Sequence, residues 1–418
     1  MADASPHLGA SDGANLIPPV PRISIQSFCE SVDVAAVVEE AARDRRLSKA
    51  HVKTHMGGVP AAIEAFRSAP TPNLIVLETY SDRSVLVQQL ESLAEFCDPG
   101  TKVMVIGHEN DIGLYRDLIS RGVSDYVVAP IDPLGFIAQI SHLYHSAGGE
   151  TIGRLIAVVG AKGGVGASTL AHNIAWSISR QLELQTVVAD LDLAFGTAGL
   201  DFNQDPPQGI AEAVFSPERL DMNFIDRLLS KCSDTLSILA APVTVDRAYD
   251  LAEHTYDGLC DILRSTAPCV VLDVPHQWCG WTKRVLVGAD EVVLVAAPDL
   301  ANLRNAKTIM DSLRALRAND RPPRVIINMT GVPKRPEIPI ADFAKAMEIE
   351  PIGIIPFDPK LFGSATNNGQ MLAEVDGSSK IVEMFDDMGR QLMGRSGPRR
   401  AKKTLLESLR RLGGLKAS

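Results

Sequence analysis

The residues with the clearest chemical reading are Gly160-Ala-Lys-Gly-Gly-Val-Gly-Ala-Ser-Thr169. They follow Leu155-Ile-Ala-Val-Val159, an apolar run that reads as a buried strand, and precede a helix-period stretch containing Leu170, Ile174, Ala175 and Ile178. Strand, glycine-rich turn and helix is the setting in which successive backbone N–H groups and a helix N-terminus cradle an anionic phosphate. Gly163, Gly164 and Gly166 let the backbone come close to that phosphate, with Val165 between them, and Ser168 supplies a hydroxyl for Mg²⁺. Against the pattern G-x-x-x-x-G-K-[ST] the turn departs twice: Ala161 stands at the first glycine and Ala167 at the lysine. The lysine that remains, Lys162, lies at the start of the turn. A charge-assisted contact is worth ~1.5–3 kcal/mol, so losing one lowers phosphate affinity about tenfold or more. Binding is expected to survive that loss; fast hydrolysis is not.

Two more segments carry acids where such a site needs them. Thr186-Val-Val-Ala-Asp-Leu-Asp192 is a strand ending in two acids, and Cys269-Val-Val-Leu-Asp-Val-Pro275 is an apolar strand ending in Asp273. The early lysine followed by Gly-Gly-Val-Gly resembles the deviant Walker A loop of the ParA/MinD family of ATPases. That resemblance implies ATP and Mg²⁺ as ligands, held by the turn from Lys162 through Thr169. It also implies that Lys162 reaches across a homodimer interface to the partner's nucleotide. Asp192, matching switch I, would orient the attacking water and approach the metal, although helix capping or a solvated loop is its plainer reading. Asp273, matching Walker B, would hold a magnesium-bound water, since Mg²⁺ keeps several waters and takes few direct carboxylates. Asn328 resembles the asparagine that reads the adenine edge, with turn formation as the alternative, and Pro356-Phe-Asp-Pro359 resembles the loop that closes over the base. Cys279, six residues after Asp273, falls near the cluster cysteine of the related nitrogenase iron protein. A shared cluster needs a second cysteine from each subunit, and none stands in a matching motif.

These motifs need a parallel sheet beneath them, and the pattern supplies one. Glu291–Ala297, Arg324–Ile327 and Gly353–Ile355 read as further strands of a nucleotide domain over 155–394. Ligands in such sheets sit outside the carboxyl ends of the strands, where all the motifs fall.

A second alternation precedes it. Strand-like pieces at Ile23–Phe28, His51–Met56, Asn73–Leu77, Lys102–Ile106 and Asp125–Val128 alternate with helical segments near 33–46, 59–68, 83–96, 112–120 and 134–145. Five strands with five helices predict a doubly wound α/β domain over 22–145. Order and spacing resemble the receiver domain of two-component response regulators, a flavodoxin-like fold. The chemical residues of that family are mostly missing. Ser27-Phe28-Cys29 stands where receivers carry paired acids, Glu78 at the phosphate-accepting aspartate, Gly107 at the hydroxyl residue and Ala129 at the lysine before Pro130. Acyl-phosphate chemistry needs a nucleophilic carboxylate, a metal and a nearby cation. The expectation is a pseudo-receiver used for docking or dimerisation, with Glu78 a solvated loop acid.

The remaining segments are short. Residues 1–21 read as a flexible arm, with neither the basic nor the apolar region of a signal peptide, and 146–154 as a linker rich in small residues. From 395 to 418, eight basic residues against Glu407 give +7 of a net −10, leaving −17 on residues 1–394. So acidic a body makes nucleic acid an unlikely partner. In the tail, Leu405, Leu406, Leu409 and Leu412 share one side of a short basic amphipathic helix, suited to an anionic membrane surface or to a docking partner. Six cysteines without a C-x-x-C pair suit reduced thiols in the cytoplasm. Apolar content of 45% with 22% charged residues fits an ordinary globular chain, and no apolar run approaches the roughly 20 residues that cross a bilayer.

A degenerate receiver followed by a ParA/MinD-like domain resembles the CpaE/TadZ family of pilus assembly proteins. That resemblance implies a cytoplasmic localisation factor, peripheral at the inner membrane or cell pole, that serves pilus or secretion machinery. The mechanism it implies is an ATP-bridged dimeric scaffold with weak or absent hydrolysis. The alternatives are a cycling ATPase of the MinD or partition type and an atypical response regulator.

Overall fold

The computed structural model describes residues 17–145, 152–242 and 249–395. Most of the expected arm and linker, and the basic tail beyond residue 395, lie outside them. The chain divides into two compact units, and each carries its own parallel sheet.

In the first unit the strands are β1 (Ser24–Cys29), β2 (His51–Met56), β3 (Leu74–Glu78), β4 (Lys102–Gly107) and β5 (Asp125–Val128). They alternate with helices α1 (Val32–Ala42), α2 (Gly58–Phe66), α3 (Arg83–Ala94), α4 (Ile112–Ser120) and α5 (Pro133–His145). The strand order is β2-β1-β3-β4-β5, all parallel, the flavodoxin-like order. β3 lies in the middle and every residue in it is buried, as a strand covered on both faces must be. β2 is an edge strand, and its outward residues His51, Lys53 and His55 are exposed in alternation. Ile25, Leu74, Val76 and Ile106 face one apolar layer; Phe28, Ile75, Leu77 and Val105 face the other.

Two details depart from the sequence expectation. The end of the supposed arm is packed: Val20 is fully buried and donates its N–H to Arg46 O at 2.8 Å, while Ser141 Oγ donates to Pro18 O at 2.9 Å. This unit also takes in residues 283–290 and 308–323. There Arg45 Nε donates to Asp320 Oδ2 at 2.6 Å, and the fully buried Arg46 pairs with Asp44 and Asp320. Buried charge is tolerated because each ion is matched by another.

The second unit carries β6 (Arg154–Gly160), β7 (Thr186–Asp190), β8 (Ser230–Lys231), β9 (Leu236–Leu239), β10 (Cys269–Val274), β11 (Glu291–Ala296), β12 (Arg324–Thr330) and β13 (Gly353–Pro356). Their order is β13-β12-β11-β6-β10-β7-β9-β8; β8 runs antiparallel at one edge and the rest are parallel. The helices that follow residue 160 are α6 (Ala167–Leu182), α7 (Ala198–Asp201), α8 (Ile210–Phe215), α9 (Met222–Leu228), α10 (Asp257–Thr266), α11 (Gly280–Gly288), α12 (Leu300–Leu316), α13 (Ile340–Met347), α14 (Pro359–Asn368), α15 (Leu372–Val375) and α16 (Lys380–Leu392). The central strands β7, β10 and β11 are buried at every position. Ile174 and Ile178 of α6 share one core with Phe385, Met388 and Leu392 of α16 and with Ile156, Val188 and Val271 of the sheet. That core fixes α6, and so the turn at its head.

Candidate functional site

The sheet places its loops by strand order. β6 lies between β11 and β10, and the turn that leaves β6 rises at the carboxyl edge to open α6. Gly164 (φ +79°) and Gly166 (φ +82°) both adopt left-handed backbone, which explains why glycine occupies them. A Cβ on Gly166 would also stand 2.8 Å from Asn328 Nδ2, whereas Gly163 and Gly164 face open space. Gly166 is the N-cap of α6 and offers no side chain to its first N–H groups. A helix end of sixteen residues is thus left with unpaired donors and a positive dipole end beside an open glycine turn.

In front of this turn lies a cleft of about 880 Å³. Lys162, the glycines, Val165, Ala167, Ser168 and Thr169 line it on one side, and Asp192 with Phe195 on another. Tyr249, Leu251, His276, Gln277 and Trp281 close the third. The volume falls in the upper part of the usual range for ligand sites, and polar donors converge on one end of an apolar-walled space. Lys162 is exposed at the rim. Its charge reaches Asp299: although burial opposes ionisation there, hydrogen bonds from Asn302 and the charge of Lys162 hold the Asp299 carboxyl below its usual range. Asn305 Nδ2 donates to Ala161 O at 3.0 Å and His276 Nδ1 donates to Gly160 O at 2.8 Å, so both flanks of the turn are pinned.

The predicted site residues do not all meet in the cleft. Ser168 and Asp192 do. Asp192 Oδ1 accepts from Phe195 N at 3.0 Å, a loop-capping contact that leaves the carboxylate partly open. Asp273 is buried beneath, at the end of β10, with its register partner Asp190 beside it on β7. Asn328 is 4% exposed and donates from Nδ2 to Val165 O at 2.8 Å, so it props the turn from below. It sits inside β12, where the pairing with β13 slips and Met329 turns to φ +55°, and not at the strand end. Pro356 ends β13 away from the cleft lining. Tyr249, Leu251, Trp281 and Phe195 were not legible as site residues; nothing distinguishes them in sequence from ordinary apolar side chains.

Under the turn lies a compact charge group. His172 of α6 is fully buried, with Nδ1 2.7 Å from Asp201 Oδ2 and Nε2 3.5 Å from Asp273 Oδ2. Burial works against its charge, yet the hydrogen bond to Asp201 and the charges of Asp273 and Asp201 push its pKa up to about 10. Burial, then the charge of Asp273, pushes Asp190 up to about 7. Asp190 accepts N–H bonds from Asp192 and Ala198, each at 3.1 Å, which ties the loop between them to β7.

The oxygen donors of Ser168 and Asp192, beside the phosphate end of a roomy cleft, suit a hard divalent cation that keeps several waters. Among the described residues no group of three or more His, Cys, Asp or Glu could hold a metal by itself. Cys279 has Thr282 as its neighbour, with Sγ 3.6 Å from Oγ1.

The corresponding corner of the first unit is closed. Glu78 is 0% exposed, not solvated as its sequence setting suggested. Its carboxylate accepts from Glu30 N and Ser31 N at 2.9 Å each and from Ser31 Oγ at 2.7 Å, with His108 Nε2 at 3.2 Å. Tyr80 stacks on the His108 ring with centroids 3.7 Å apart. The length of its side chain lets Glu78 reach the loop after β1, where Glu30 and Ser31 take up its oxygens.

Comparison with known proteins agrees with this geometry. Residues 156–370 match the profile of the CobQ/CobB/MinD/ParA nucleotide binding domain. The septum site-determining protein MinD of Synechocystis is 27% identical over 276 residues, 62% of this chain and 99% of that protein. A solved structure of MinD from Pyrococcus horikoshii, complexed with Mg-ADP, is 18% identical with a TM-score of 0.51, covering 58% of this chain and 96% of that one. The structure of the pilus assembly protein CpaE from Caulobacter crescentus is 45% identical over the amino-terminal region; it covers 30% of this chain and 96% of that one, with a TM-score of 0.30 over the whole.

Proposed function

Because the chain belongs to the CobQ/CobB/MinD/ParA nucleotide-binding family and its amino-terminal region to the CpaE pilus assembly family, we propose that it is an ATP-dependent positioning factor for a pilus or secretion machine. One observation supports this most: the uncapped head of α6 and an open glycine turn face a cleft of nucleotide size. In this reading the N–H groups from Gly163 to Thr169 bind the phosphates, and Ser168 and Asp192 hold Mg²⁺, with Asp273 behind them acting through water. The cation would supply charge neutralisation of the phosphate oxygens. Ala167 leaves the inner face of the phosphates without its usual lysine, so turnover is slow and the bound state is long-lived. Lys162, exposed at the rim, serves a second copy of the chain, and dimer population follows nucleotide state. Asn328 acts first on the turn, and Pro356 keeps the base-closing role that the resemblance implies.

The domains assigned are 22–145 and 155–394. The first is a docking domain, because Glu78 is buried with its oxygens already satisfied. Among the described residues no helix is long and apolar enough to cross a membrane, which leaves inner-membrane or polar placement to the tail or to the machinery itself.

Light scattering of the full chain tests the reading. ATP with Mg²⁺ should shift monomer toward dimer, ADP should not, and Lys162→Ala should abolish the shift while retaining nucleotide. Dimerisation indifferent to both nucleotide and Lys162 would refute the trans role. Rapid ATP turnover that disappears in Asp192→Ala would favour a cycling ATPase instead.

A further inference from the structure

The nucleotide reading uses the rim and floor of the cleft and leaves His172 without a task. This imidazole lies in a space shared with three buried carboxyl groups, Asp190, Asp201 and Asp273. A carboxylate taken out of water without a partner is costly, by several kcal/mol in real proteins, so burying Asp273 requires a compensating group. Among the described residues His172 is the one cationic side chain that forms an ion pair with the Asp273 carboxyl, which otherwise has the like-charged Asp190 beside it. At 3.5 Å the Nε2–H is in ion-pair range but too long for a good hydrogen bond, and it finds no other acceptor. Its opposite nitrogen is fixed by a short bond to Asp201, which Thr197 Oγ1 also approaches at 3.4 Å. Phe202 packs against the ring at 5.4 Å between centroids and limits its tilt.

The connectivity is informative. Asp192 lines the cleft, the loop after it is tied to β7 through Asp190, and nine residues on Asp201 ends α7 against His172. The segment from 192 to 201 therefore touches the proposed cation site at both ends: once directly, and once through an imidazole.

We propose that His172 is a positioning residue for Asp273: held on one nitrogen by Asp201, it aims with the other the carboxyl that serves the cation's water, and so links the segment 192–201 to metal binding. This rests on the nucleotide reading of the cleft. Groups that orient a metal's ligands from behind are typically worth 10–100-fold in metal affinity.

The test is a titration of the full chain with a fluorescent ATP analogue, first in EDTA and then at rising Mg²⁺. His172→Ala should raise the Mg²⁺ concentration for half-maximal tightening about tenfold, with binding in EDTA unchanged. Asp201→Ala, which lines no part of the cleft, should shift the midpoint in the same direction, and the double variant should shift it no further than the larger single one. Should the alanine variants fail to fold, His172→Gln and Asp201→Asn keep the volume, and a threefold or larger shift is expected in each. Unchanged midpoints overturn the proposal, as does an equal loss with and without Mg²⁺, which would mark His172 as packing only. Wild-type protein without any Mg²⁺-dependent binding would sink the cleft reading and this one together, whereas unchanged variants of a binding-competent protein sink this one alone.

Discussion

Two loops at the carboxyl ends of central parallel strands meet opposite fates in this molecule. After β3, the position that would handle phosphate is filled: Glu78 spends its oxygens on two backbone N–H groups, a serine hydroxyl and a histidine. After β6, the donors are left over: the head of α6 has no capping side chain and the glycine turn faces open space. Both sites lack residues that the sequence patterns they resemble would carry, so counting missing residues does not separate them. What separates them is whether the remaining polar groups are satisfied inside the fold. A satisfied anion is a structural pin; unsatisfied N–H groups at a helix head are an invitation to a ligand.

That contrast can be broken in several ways. The largest effect is expected at the closed site. Glu78→Ala should lower unfolding free energy in urea by about 3 kcal/mol, because it removes three hydrogen bonds to a buried carboxylate and leaves the donors of the loop after β1 without it, while leaving nucleotide affinity untouched. A substitution that costs nothing would mean that Glu78 is no pin. Next, Gly166→Ala forces a side chain into left-handed backbone and toward Asn328 Nδ2, a strain of about 1–2 kcal/mol. A fall in melting temperature, together with weaker nucleotide binding, is expected. Ala167→Lys should act in the opposite sense, tightening nucleotide about tenfold through one restored charge-assisted contact; calorimetry reads the change directly. The smallest effect is expected from Glu78→Asp exposed to acetyl phosphate. Shortening the side chain restores the receiver's acid but neither its metal ligands nor its lysine, so no label should appear by mass spectrometry.

Much of the architecture could be read from the chain because it is locally encoded. β2 and β5 occupy the residues expected, β12 runs three residues further than expected, and each remaining expected strand differs by a residue or two at its ends, since apolar runs between helical periods leave few choices. The hairpin β8–β9 was missed: a two-residue strand and a four-residue one at a sheet edge carry no periodic signal. The turn from Lys162 to Thr169 was legible because eight contiguous residues build it. Glu78 was misread because a lone acid after an apolar run looks like a loop residue, and its partners Glu30 and Ser31 lie nearly fifty positions earlier. The same holds for His172, whose partners Asp201 and Asp273 come from separate elements of the chain. Asn328 was identified as a site residue, yet only the fold shows that it holds Val165 O. Local pattern announces the binding loop, and tertiary contacts alone reveal which charged groups are already spoken for.

The measurement that bears most directly on the open site is isothermal titration of the full chain with ATP and with ADP, each in the presence and absence of Mg²⁺. Saturable heat with one nucleotide per chain is expected below millimolar ligand, tighter with Mg²⁺ and tighter again in Ala167→Lys. A flat trace at millimolar ATP with Mg²⁺ would contradict it, and would mean that the uncapped head of α6 does not grip a triphosphate.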